Sequence, residues 1–169
     1  FLPQNMLEYC DKYLTMEKAT AEEKQLFKTT FLKLIKISLW NTKGEQFLSK
    51  NPPHTGHIRQ ILEMFPHAKF IYLVRNPYTV FESTRSFFCN TIQPLKLQHI
   101  SDEELENNIL EVYKRLYRRY EQDKQLIPAG NLIEIKFEDY EKDALAIPEK
   151  IYKTLSLSLI HISEPTRHS

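Results

Sequence analysis

The chain has 169 residues, 41% of them hydrophobic and 27% charged, with a formal net charge of +1. This is the composition of one folded domain rather than a disordered chain, and the near-zero charge gives no footing for nucleic acid or an anionic membrane surface. Three glycines leave no room for a glycine-rich phosphate loop, two scattered cysteines make neither a disulfide framework nor a zinc site, and no apolar run has transmembrane length.

The first residue, Phe1, stands inside helix-like sequence with no methionine before it, so the chain is expected to be a piece of a longer protein, with any targeting segment upstream. Helix is predicted over 6–14. Thr20 and Glu23 form a capping box ahead of Leu26, Phe27, Phe31, Leu34 and Ile35 at helical spacing. A turn at Lys43-Gly44 leads to a short strand over 47–49, then to a rigid Pro52-Pro53 turn. Thr55 is expected to cap a helix carrying Ile58, Ile61, Leu62 and Phe65.

Residues 70–74, "FIYLV", read as a strand, and the unbroken apolar run predicts cover on both faces. Asn76 caps the next helix, with Pro77 in its first turn and Val80, Phe81, Thr84 and Phe88 along it. Ser101 and Glu104 form a second capping box, opening a long helix with Leu105, Ile109, Val112, Leu116 and Tyr120 inward. Its "YKRLYRRY" run is expected to turn tyrosines inward and Arg115, Arg118 and Arg119 to water. After the "IPAGN" break, 132–136 alternates as a strand and 147–155 returns to helix. Residues 157–169, "LSLIHISEPTRHS", abandon the helical pattern and match the translated read-through of a sequencing adaptor. A non-native tail is expected there, leaving a partial domain over 1–156.

Strand and helix alternating with short joints predict an α/β fold with a parallel sheet flanked by helices. Ligands of such sheets sit beyond the carboxyl ends of the strands, a rim that would hold Lys50, Arg75 and residues 137–139. An arginine beside a helix N-terminus suits an anion, and Ser83, eight positions on, lies on roughly the same side of that helix. Spacing leaves open whether the anion is a phosphate or a carboxylate such as that of Asp139. Glu138 and Asp139 read as structural support. His54 follows the Pro-Pro turn, where a neutral imidazole can take a proton from an alcohol or amine. Lys50 can stabilise charge developing on a transferred group. By themselves the two also read as a cap-region residue and a solvated strand end. His57 and His67 read as surface residues, and no third ligand suggests a metal.

Three stretches in this order, "LSKNPPHTGHIRQILEMFPHAKF", "IYLVRNPYTVFEST" and "IPAGNLIEIKFEDYEKD" leading into "IYKTL", resemble the sulfotransferase family that uses 3′-phosphoadenosine 5′-phosphosulfate (PAPS), in its microbial branch. The resemblance covers roughly 41–155. It implies a P-loop NTPase-like sheet, a 3′-phosphate grip by Arg75 and Ser83, Lys50 near the transferred sulfuryl group, and His54 as the base. It also implies a small-molecule or carbohydrate acceptor bearing a hydroxyl or amine. Two departures stand out. His54 follows Lys50 by four positions rather than two, and Thr79 replaces an acidic residue. The family's 5′-phosphosulfate loop is missing together with its N-terminal strand and helix, so this chain alone is expected to be inactive. A P-loop small-molecule kinase and a non-catalytic helix-rich binding domain are the alternatives.

Overall fold

The computed structural model describes residues 1–157. A short helix α1 (Met6–Tyr9) runs on into a π-turn over Cys10–Leu14, which matches the helix predicted there. Helix α2 (Ala21–Thr42) begins at the Thr20/Glu23 capping box, with both reciprocal bonds present, and stops where Lys43 adopts the left-handed conformation at φ 52°. Residues 46–50 then run without pairing, so the strand predicted over 47–49 does not form. A strand needs a neighbour to pair with, and neither described strand accepts this segment.

A 3-10 turn, Pro52–Gly56, leads into α3 (Ile58–Met64). That helix is capped at His57 without a side-chain bond, rather than by Thr55. Strand β1 (Phe70–Val74) and strand β2 (Leu132–Lys136) pair in parallel, with Phe70 opposite Leu132 and Val74 opposite Lys136. Between them lie α4 (Pro77–Ser86) and α5 (Asp102–Asp123), the latter opened by the Ser101/Glu104 capping box. Helices α6 (Phe137–Lys142) and α7 (Ala146–Thr154) follow β2. The α/β class and parallel pairing agree with the sequence; the sheet of the described residues has two strands.

The two faces of the sheet are covered unequally. On one, the Tyr120 ring of α5 stacks on Tyr72 at 3.8 Å between centroids, and its hydroxyl donates to Glu134 at 2.5 Å. On the other, Ile133 and Ile135 join Leu155 in a cluster with Ile147 and Ile151 of α7. Leu157 packs on the same cluster; residues 158–169, the rest of the predicted tail, lie outside the described residues. Ile71 and Leu73 share that face by register, yet are 41% and 56% exposed. The expectation that β1 is covered on both faces is therefore corrected: α7 sits over β2 and leaves β1 open. A second cluster, Ile100, Leu105 and Ile109 with Met6, Phe81 and Phe88, ties α1, α4 and α5 together.

The Tyr120 hydroxyl gives a direct test of sheet support. Tyr120→Phe keeps the stack and removes one bond to a half-exposed carboxylate. A loss of about 1 kcal/mol is expected in urea denaturation, with the m-value unchanged.

Helix α5 also reverses one expectation. Tyr113 and Tyr117 face water, whereas Arg115 and Arg119 turn inward. Acidic partners explain this: Arg115 donates to Asp11 at 2.6 Å and Arg119 to Asp123 at 2.7 Å. An arginine stem can line the core when its head finds a carboxylate.

Candidate functional site

Two separate groups of chemistry-bearing residues emerge. The first sits at the carboxyl ends of the strands. β1 delivers Arg75 there, and β2 runs into Phe137 and Glu138 beside it. The Arg75 guanidinium lies over the Phe137 ring at 4.7 Å, and the Glu138 carboxylate accepts from the Asn76 amide at 2.9 Å. That hydrogen bond holds the Glu138 carboxyl below its usual range. Among the described residues, no carboxylate forms an ion pair with Arg75; Asp139, the partner considered for it, lies 3.6 Å from Lys142 instead. An exposed guanidinium resting on a ring face keeps its in-plane donors available.

Helix α4 begins as the sequence predicts, with Asn76 Oδ1 accepting from the Tyr78 amide at 2.9 Å and the Thr79 amide at 3.4 Å. The cap therefore occupies amides that an incoming anion would otherwise meet. An anion at this rim would meet side chains first. Ser83 is exposed two turns along α4, and its hydroxyl has no partner among the described residues.

The second group is built on the Pro-Pro turn, Pro52–Gly56. His54 Nε2 lies 3.0 Å from Ser49 Oγ, and its Nδ1 lies 3.4 Å from His57 Nδ1. His57 Nε2 in turn lies 2.8 Å from the Tyr13 carbonyl oxygen. His57 is only 4% exposed, so its reading as a surface residue is overturned. No local signal marks it: its position between Gly56 and Ile58 gives no warning that the turn packs against the 10–14 segment. Phe27 and Phe31 of α2 pack against the two imidazoles, at 4.8 Å from His57 and 5.1 Å from His54. Burial lowers the His54 pKa to about 4, with His57 a smaller contribution. Burial likewise lowers the His57 pKa, opposed in part by its bond to Tyr13. Both imidazoles are thus neutral near pH 7.

His54 forms one wall of a cleft of about 620 Å³, otherwise lined mainly by apolar groups including Met16, Leu26, Phe27 and Phe31. Such a cleft suits an apolar ligand whose polar end reaches the imidazole. Lys50 is exposed on the unpaired stretch leading to the turn. Among the described residues, no hydrogen bond or ring contact joins Arg75 and Ser83 to Lys50 and His54. Nor does any group of three His, Cys, Asp or Glu side chains there form a metal site, and no helix is long and apolar enough to cross a membrane.

A model of the Sulfotransferase family matches residues 4–161. Among curated proteins, the chain is similar to omega-hydroxy-beta-dihydromenaquinone-9 sulfotransferase Stf3 of Mycobacterium bovis, with 28% identity over 147 residues. The protein of the same name from Mycobacterium tuberculosis matches to the same extent. In each case the match takes in 87% of this chain but 38% of the relative, so the chain spans well under half the length of the curated proteins it matches. No solved structure gives a significant match.

Proposed function

The chain belongs to the sulfotransferase family, and from that premise we propose that it contributes the 3′-phosphate grip and the acceptor wall of an enzyme moving a sulfuryl group from PAPS to the hydroxyl of an apolar acceptor. The observation that carries this reading is the Arg75 guanidinium, set just past the carboxyl end of β1 with no carboxylate within ion-pair distance among the described residues, the charge of nearby Glu138 reaching it only through space. A charged fork kept uncommitted at a strand end is what a phosphate requires. The paired strands would then form part of a P-loop-like sheet.

The residues fit one half of the donor nucleotide. Arg75 and Ser83 would hold a 3′-phosphate, since Asn76 already satisfies the amides between them. None of Gly44, Gly56 and Gly130 lies between a strand and a following helix, so the described residues build no glycine-containing 5′-phosphosulfate loop. PAPS supplies an activated sulfuryl group with adenosine 3′,5′-bisphosphate as leaving group. His54, neutral through burial, would take the acceptor's hydroxyl proton on Nε2 as the oxygen bonds to sulfur. Lys50 would offset the negative charge that develops as the bond to the 5′-phosphate breaks.

The surface of the His54 cleft is mainly apolar, from Met16, Leu26, Phe27, Phe31 and Leu34, with polar groups such as Ser49, Asn51 and Thr30 among the lining, and this favours an acceptor with an aliphatic or isoprenoid body and a polar end. The names of the mycobacterial relatives describe an acceptor of that kind. The phosphoryl-transfer alternative has no counterpart in the family assignment.

The test is nucleotide binding by this chain, followed by calorimetry or fluorescence. Adenosine 3′,5′-bisphosphate should bind more tightly than adenosine 5′-monophosphate. Arg75→Ala should reduce affinity for the bisphosphate by about 10- to 150-fold, the weight of a charge-assisted contact of ~1.5–3 kcal/mol, and leave the monophosphate unaffected. Equal affinity for both nucleotides would end the 3′-phosphate reading. In the same samples, PAPS and a long-chain alcohol should give no sulfated product, and turnover would show that these residues suffice for transfer.

A further inference from the structure

The hydrogen-bond chain behind His54 decides which of its ring nitrogens is bare. It starts at a group whose role is fixed: the Tyr13 carbonyl can only accept. His57 Nε2, 2.8 Å away, must therefore carry the proton in that bond. His57 is 4% exposed, and burial disfavours its charged form, as does Arg119 nearby. A neutral imidazole with Nε2–H has a lone pair on Nδ1. That lone pair faces His54 Nδ1 at 3.4 Å. Two lone pairs would repel, so His54 carries its proton on Nδ1, and its Nε2 is left bare.

Bare Nε2 faces Ser49 Oγ at 3.0 Å, a hydroxyl able to donate to it. The Asn51 amide does not compete, since it sits 3.4 Å from both ring nitrogens and so points along neither lone pair. Phe31 meets the His54 ring edge-on at 72°, and Phe27 packs on His57 at 57°. The rings are held from α2 while the carbonyl holds them from the 10–14 segment.

We propose that His57 is the positioning residue that selects the His54 tautomer, through a relay from the Tyr13 carbonyl to His57 and on to His54 Nδ1–H, leaving Nε2 to receive a hydroxyl proton. The functional meaning rests on His54 acting as the base; the relay itself rests on geometry. A buried neutral imidazole fills the place that an acidic residue fills in a Ser-His-Asp arrangement. The consequence differs, because an uncharged partner orients the base without raising its basicity.

Long-range proton–nitrogen NMR correlation on nitrogen-15-labelled protein near pH 7 reads the tautomers directly. His54→Gln and His57→Asn identify the two residues among the six histidines. The expected pattern is His54 with a protonated Nδ1 and a bare Nε2, and His57 the reverse. His57→Asn places an amide oxygen near the former Nδ1 and should preserve the His54 pattern. His57→Leu removes the acceptor, and His54 should revert toward the Nε2–H form usual for a free imidazole. A His54 proton on Nε2 in the unaltered protein overturns the relay, as does an unchanged His54 tautomer in the leucine variant. The spectrum of the unaltered protein decides the matter even if the leucine variant does not fold. Because these signals do not depend on turnover, the base assignment and the relay fail separately.

Discussion

Asp123→Ala is expected to destabilise the folded chain by ~3–5 kcal/mol, the usual consequence of stripping one partner from a buried ion pair. Asp123 is 1% exposed at the end of α5. Its carboxylate accepts from Arg119 Nε at 2.7 Å and from Arg59 Nη2 at 3.3 Å, joining α5 to α3. The two arginines differ in what they lose. Arg59 is half exposed and can return to water, but the Arg119 side chain is only 13% exposed. Its remaining carboxylate neighbour, Glu17, is 4.0 Å away and about half exposed. Removal of Asp123 therefore leaves a cation stranded in low dielectric, near His57. Asp123→Asn keeps an acceptor and should cost less. The measurement is the guanidinium chloride midpoint of the two variants against the unaltered chain. A loss below about 1 kcal/mol for the alanine variant would mean that the pair is solvated and behaves as a surface bridge.

Gly56→Ala should be nearly as damaging, and its effect should reach the histidine pair. A β-carbon at Gly56 would stand 1.9 Å from the Leu14 carbonyl oxygen, 2.9 Å from the Leu14 carbonyl carbon and 3.1 Å from Leu116 Cδ2. The first two neighbours are backbone, so no rotamer change relieves the clash. The Pro-Pro turn or the 10–14 segment must move. Overpacking of this kind typically costs ~1–3 kcal/mol, and a backbone-to-backbone collision belongs at the upper end. Gly56 precedes His57 and Leu14 follows Tyr13, so the displaced pair is the same one joined by the His57–Tyr13 bond. The expected result is a lowered denaturation midpoint together with loss of the His57 Nε2–H signature. An intact signature at unchanged stability would refute the close approach.

Much of the local structure can be read without coordinates. Thr20 with Glu23, Ser101 with Glu104, and Asn76 before Pro77 each place a helix start where the structure has one, because a cap satisfies backbone amides within three residues of itself. The apolar run of β1 and the alternation of β2 likewise name both strands, and helices between them imply the parallel pairing. That Arg75 follows a strand and that Ser83 lies on the helix after it are also readable, because both positions fall within one short stretch.

What the sequence could not decide is what covers what. The 47–49 segment has the composition of a strand, but pairing depends on a neighbour far away in the chain. Ile71 and Leu73 look like buried residues, yet α7 lies over β2 and leaves them bare. The inward turn of Arg115 and Arg119 depended on Asp11 and Asp123, and for Arg115 that partner comes from a distant segment. His57 is the clearest case: nothing within the "PPHTGHI" stretch marks it as buried, and only the close passage of the Tyr13-Leu14 backbone over Gly56 makes it the anchor of His54. Capping, periodicity and turn chemistry act over a few residues and are written locally. Desolvation, charge compensation and tautomer choice depend on which distant groups arrive at a side chain, and only the folded arrangement supplies them.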